Sequence, residues 1–182
     1  MLYLILGASG LRIGEALGLD VRHVTNGGRT LVIEQAVNRW GQISGLKTKA
    51  AKRRVDVSSD VAACLLEFIE GRSGLLFCTK IGTPYLANNL RRRWLNKRIE
   101  GYGFHSFRRY RVTHLDACRA HGHLTKIWTG HALSNVTEQY AKSLKRNLKL
   151  RLEESERVGT GFATPAPKCS KISSDKTVAA AA

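Results

Sequence analysis

Gly10-Leu-Arg-Ile-Gly-Glu-Ala-Leu-Gly-Leu19 is the stretch on which the fold turns. Gly10 separates two apolar helical segments: Leu2 to Ala8 reads as the end of one, and Leu11 to Leu17 as a short second. Arg12 and Glu15 lie three residues apart in the second, so both project from one face. Alone, that pair reads as a surface ion pair. Its company further along the chain changes the reading.

Outward from this stretch, Thr30-Leu-Val-Ile-Glu-Gln-Ala-Val37 is β-branched and predicts a strand. A turn at Gly41 leads to a second strand around Ile43, and Arg53-Arg-Val-Asp-Val57 alternates like a third. The lysine-rich stretch 47–52 then becomes a hairpin connection. Ser58 opens a helix whose apolar residues Val61, Leu65 and Phe68 keep helical spacing. Leu75-Leu-Phe77 reads as a short extended segment, and Leu86, Leu90 and Trp94 as the stripe of another helix. Helices are expected at 105–120, 125–129, 135–142 and 144–154. The fold class is α+β: a mainly helical domain over 1–154 with a small three-stranded antiparallel sheet. The segment 155–182, rich in Gly, Pro, Ser, Lys and Ala, is expected to be disordered.

Charge narrows the choice of partner. The chain has 30 Lys and Arg against 14 Asp and Glu, a net charge of +16 with a pI near 10.3. Of these, 26 basic and 12 acidic residues lie in Met1–Glu154, so the folded part itself carries +14. A domain this basic attracts a polyanion, first of all double-stranded DNA. A membrane is not expected, because no segment has the length of a spanning helix. The apolar start lacks a basic n-region and runs straight into Arg12, so it reads as a buried helix, not a signal peptide. Cys64, Cys78, Cys118 and Cys169 form no CxxC pair, which fits reduced thiols and a cytoplasmic setting.

Four further motifs follow in order. Lys47-Thr-Lys-Ala-Ala-Lys-Arg-Arg-Val-Asp-Val57 carries Lys49. His105-Ser-Phe-Arg108 is a His-x-x-Arg. Gly130-His131 follows Arg108 after 23 residues, and Tyr140 comes nine residues after His131. Together with the first stretch, these resemble the signature boxes of the tyrosine recombinases, the phage integrase family. The resemblance covers most of 1–145.

It implies a catalytic set of Arg12, Lys49, His105, Arg108 and His131 serving Tyr140 as nucleophile, with Glu15 in support. Arg12 and Arg108 would grip a phosphate's non-bridging oxygens. Lys49 would protonate the leaving 5′-oxygen, His105 would take the tyrosine's proton, and His131 would hydrogen-bond the phosphate. Strand cleavage through a 3′-phosphotyrosyl intermediate, followed by rejoining, would give site-specific integration or excision with no cofactor and no metal. Arg91, Arg92, Arg93, Lys97 and Arg98 form the densest basic run and are expected to contact the DNA backbone.

The family also implies a homo-tetramer on DNA, with a monomer as the alternative for this chain alone. The Leu144, Leu148 and Leu152 stripe resembles the family's C-terminal helix that docks on a neighbouring subunit; packing on its own domain is the alternative. The family's usual first catalytic helix and N-terminal DNA-clamping domain are not found ahead of the first box. A truncated remnant and a non-catalytic basic DNA-binding module therefore stay open, as does a topoisomerase. His114, Cys118, His121 and His123 lie close together but match no familiar zinc spacing.

Overall fold

The computed structural model describes residues 1–46, 51–97, 101–131 and 143–166. Lys49, Arg98, Tyr140, Cys169 and the expected helix at 135–142 therefore lie outside the described residues.

Helix α1 (Leu2–Ser9) ends at Gly10, which caps it in the left-handed region at φ 66°. Only a residue without a Cβ adopts that conformation at little cost. The chain can then turn at once into α2 (Ile13–Leu17), with Arg12 at its N-cap. Ile5, Leu6, Leu11, Ala16 and Leu17 are all buried, so this corner forms the centre of the core.

After a 3₁₀ turn at Val21–His23 come β1 (Val24–Thr25), β2 (Thr30–Ile33), β3 (Gln35–Val37), β4 (Ile43–Gly45) and β5 (Arg53–Asp56). A three-stranded antiparallel sheet is present, in the order β1-β2-β5, but its membership differs from expectation. Thr30–Val37 is broken at Glu34, and its second half pairs with β4 in a separate two-stranded ribbon, Val37 opposite Ile43. Helix α2 explains the break. A Cβ on Gly14 would lie 2.7 Å from the Val37 carbonyl oxygen, and one on Gly18 2.9 Å from the Ala36 Cα. Two glycines thus let the β3 backbone lie directly against α2 instead of continuing the sheet.

Helix α3 (Ser59–Ile69) follows, burying Val61, Ala62, Cys64 and Leu65. Leu75 is extended, as expected, and bridges Asp20. Helix α4 (Ala87–Leu90) runs into a π-helical turn at Arg91–Leu95, closed by the Asn96 N–H donating to the Arg91 carbonyl at 2.9 Å. The extra residue rotates the apolar stripe, so Leu95 is buried in place of the expected Trp94.

Helices α5 (His105–Ala117) and α6 (Gly122–Thr129) close over the core, with Leu115, Leu124, Ile127 and Trp128 inside. Residues 143–146 are helical, and α7 (Leu148–Val158) follows. The expected domain boundary at residue 154 is corrected here, because the helix continues through Val158 and residues 159–166 are held down. Val158, Gly159 and Thr160 offer their carbonyls to His114, Arg111 and Tyr110 of α5, and Cys64 Sγ–H donates to Pro165. Carbonyls left over at a helix end need donors, and α5 supplies them.

Helix α7 docks on its own domain. Arg151 pairs with Asp56 at 2.8 Å, and Glu156 accepts from Arg29 at 2.7 Å and from the Ser59 backbone N–H at 2.9 Å. The α3 N-terminus, which lacks a cap from Ser58, thereby gains a carboxylate where its dipole favours one. Among the described residues no helix is long and apolar enough to cross a membrane. Cys64, Cys78 and Cys118 are each free thiols.

Candidate active site

Glu15 stands on the first turn of α2, almost wholly buried, and a buried carboxylate needs donors on every side. Its oxygens accept from the Arg12 backbone N–H at 2.9 Å, from Arg12 Nη1 at 3.1 Å, and from Arg53 Nη1 and Nη2 at 3.0 and 2.8 Å. Burial pushes its pKa up. The Arg53 bonds and charge, with the Arg12 bonds, more than offset this and hold Glu15 below the usual carboxylate value. Glu15 is therefore ionised at neutral pH, and it fixes Arg12 at the base while 52% of the Arg12 side chain stays exposed.

Arg108 lies one helical turn beyond His105 on α5 and is buried. Its Nη1 donates to the Gly10 carbonyl at 3.0 Å, and its Nη2 to the Thr129 carbonyl. It thus joins the end of α1 to the end of α6. A guanidinium carries five N–H donors, so two bonds to carbonyls leave donors for a ligand. Burial, then the charges of Arg12 and Arg53, pull its pKa down, with Glu15 resisting.

Gly130 ends α6 in the left-handed region at φ 68°, and a Cβ there would stand 3.1 Å from the Arg53 guanidinium. That turn presents His131, whose Nδ1 lies 3.3 Å from the Thr129 hydroxyl. Burial, followed by the charges of Arg108, Arg12, Arg53 and Lys126, holds His131 below its ordinary value. These mutual effects place Arg12, Arg53, Arg108 and His131 in one electrostatic neighbourhood. His105, exposed on the first residue of α5, opens the same helix face as Arg108.

Of the residues expected from sequence, the structure brings together Arg12, Glu15, Arg108 and His131, with His105 a turn away. Lys49 and Tyr140 lie outside the described residues. Arg91, Arg92, Arg93 and Lys97 are all exposed around the π turn. Arg53 was not anticipated. The signal was its alternation with Val55 and Val57, which makes it an inward-facing arginine that must meet a carboxylate.

The arrangement suits an anion: among the described residues two arginines and an imidazole converge with one carboxylate, itself consumed by internal pairing. A cavity of about 660 Å³ lies on the opposite face of α5, against Tyr3, Phe107, Tyr110 and Phe162. It is almost wholly apolar and has no part in phosphate chemistry. Among the described residues, no three His, Cys, Asp or Glu side chains gather so as to hold a metal ion.

Comparison with known proteins bears on the family and the fold. The phage integrase family pattern matches residues 1–147. A Tn1549 transposon integrase in complex with circular intermediate DNA superposes with a TM-score of 0.58 at 21% identity, over 76% of this chain and 53% of that one. The same integrase with transposon right end DNA gives 0.58 and 21%, over 76% and 52%. The XerA recombinase gives 0.55 and 18%, over 75% and 49%. At these identities the likeness concerns the fold, and the chain spans about half the length of the solved proteins it matches. No curated protein sequence matches the chain.

Proposed function

Because the chain belongs to the phage integrase family, we propose that it cleaves and rejoins DNA at specific sites through a covalent phosphotyrosine. The observation that carries this reading is the convergence of Arg12, Arg108 and His131 around the buried Glu15–Arg53 pair. A backbone phosphate placed there would meet guanidinium donors whose charge persists at any working pH, where the transition state gathers negative charge.

Tyr140 attacks the phosphorus in line, forming a phosphotyrosyl bond to the 3′ side and breaking the bond to the 5′-oxygen. His105 accepts the phenol's proton, since an unperturbed tyrosine, with a pKa of about 10, is a poor nucleophile near neutrality. Lys49 gives its proton to the departing 5′-oxygen, which leaves as a hydroxyl and not as an alkoxide. Attack by another strand's 5′-hydroxyl then reverses the step and completes strand exchange. The bond energy stored in the phosphotyrosine suffices for rejoining. The partner is double-stranded DNA, with a homo-tetramer on two sites as the working assembly.

The test is covalent capture on nicked duplexes. Wild type is expected to form an adduct, and Tyr140→Phe to bind without forming one; an adduct from the Phe variant overturns the assignment. Lys49→Ala should slow cleavage, and a 5′-bridging phosphorothiolate, whose sulfur leaves without a proton, should restore it.

A further inference from the structure

Arg53 touches three separate segments with one planar group. Its Nη1 and Nη2 hold both oxygens of Glu15 at 3.0 and 2.8 Å, and Glu15 in turn holds Arg12. Its Nε donates to the Trp128 carbonyl at 2.8 Å, two residues before the Gly130 turn that presents His131. Its Nη1 also reaches the Ala51 carbonyl at 3.0 Å, at the foot of the connection that carries Lys49 in the sequence. The side chain is 2% exposed, so it cannot itself meet DNA. Packing reinforces the contact, because a Cβ at Gly130 would press to 3.1 Å from the Arg53 guanidinium.

Resting on the phosphate-site reading above, we infer that Arg53 is a positioning residue: one buried guanidinium that sets Arg12, His131 and the foot of the Lys49 connection in register for a single phosphate. Charge alone would not do this. Four bonds leave the fork in different directions, two toward Glu15 of α2, one toward the end of α6 and one back to Ala51, just ahead of its own strand. A lysine offers three donors from one atom and cannot span them.

Arg53→Lys separates geometry from charge, because it keeps the cation beside Glu15 and loses the fork. The full chain is assayed on a pool of nicked duplexes with randomised flanks. Misplacement of about an ångström at a reacting centre is expected to slow single-turnover adduct formation about 100-fold. Binding of the same duplexes should stay within about threefold, because contacts to other phosphates carry the affinity. Adduct formation within threefold of wild type overturns the inference. A Lys variant that loses its fold overturns it equally, since Arg53 is then a structural strut.

If wild type itself yields no Tyr140-dependent adduct, the cleavage reading fails, and the inference is tested separately. Inorganic phosphate is then titrated while the Arg12 and Arg108 side-chain Nε–Hε resonances are followed. Affinity at least tenfold weaker in Arg53→Lys supports the positioning role, and equal affinity overturns it.

Discussion

Two buried arginine–carboxylate pairs meet at β5, three residues apart, and they have opposite fates. Arg53 pairs with Glu15 at 2.8 Å, and Asp56 with Arg151 at 2.8 Å, all four side chains almost wholly inside. Around Asp56 the remaining acceptor positions are closed by neutral groups, the Thr30 hydroxyl at 2.7 Å and the Trp128 indole N–H at 2.9 Å. Around Glu15 the last donor is Arg12, a cation that leads out to solvent. One pair is sealed and ties α7 to the core. The other has an open end, and the proposed phosphate site is built on it. The same chemistry is structural or functional according to whether its network ends inside the protein.

The sharpest way to break this comparison is Asp56→Ala. It strands Arg151 as a buried charge and also orphans the Trp128 indole, so unfolding in urea should show a loss of about 3–5 kcal/mol. A loss below about 1 kcal/mol, the range of exposed pairs, would mean the pair is not sealed. Next comes Arg12→Ala, which removes the open end. Adduct formation should fall about 100- to 1,000-fold, as when one preorganised donor to a transition-state oxyanion is lost, while the urea midpoint barely moves. A large stability loss in place of a rate loss would make the two pairs alike.

Acid sharpens the contrast further. The native pKa of Glu15 lies below its ordinary 4.5, so its contribution to stability is complete above that value. It drains away as pH falls through the depressed native value. Wild type should therefore lose stability on the acid side more steeply than Glu15→Gln, in urea unfolding followed downward from pH 5. Subtracting the two curves removes other carboxylates such as Asp60 and Glu154, which are also held low. Parallel curves would show that Glu15 is not the anchor described. The smallest effect is expected at the exposed basic run, where Arg92→Ala should reduce the slope of log affinity against log salt by about 0.9 and leave cleavage of bound DNA unchanged.

Much of this was legible from spacing. Arg12 with Glu15, and His105 with Arg108, each lie one helical turn apart, so helical periodicity alone puts each pair on one face. Gly130 entered the sequence reading only as part of the Gly130-His131 motif; its left-handed conformation at φ 68°, which ends α6, is a finding of the structure. Arg53 escaped notice because it sits in Lys52-Arg53-Arg54, where a run of cations reads as solvated surface. Only the two-residue period through Val55 and Val57 shows which of the three turns inward. The split of the second strand escaped for a related reason, since the glycines responsible, Gly14 within α2 and Gly18 at its C-cap, act through space. Val158, Gly159 and Thr160 sit at the start of a stretch that reads as disordered by composition, yet their carbonyls are held by α5, which composition does not record.

The π turn at Arg91–Leu95 has an optical consequence. By rotating Leu95 inward it leaves the Trp94 indole 51% exposed beside three arginines, and Trp40 is 67% exposed, while Trp128, the third of the chain's three tryptophans, is 1% exposed. Emission from this protein therefore divides into a blue, shielded component from the Asp56 network and red components from the cationic exterior. Iodide, drawn toward the arginines, should quench the red light and spare the blue, giving two spectroscopic channels without a label.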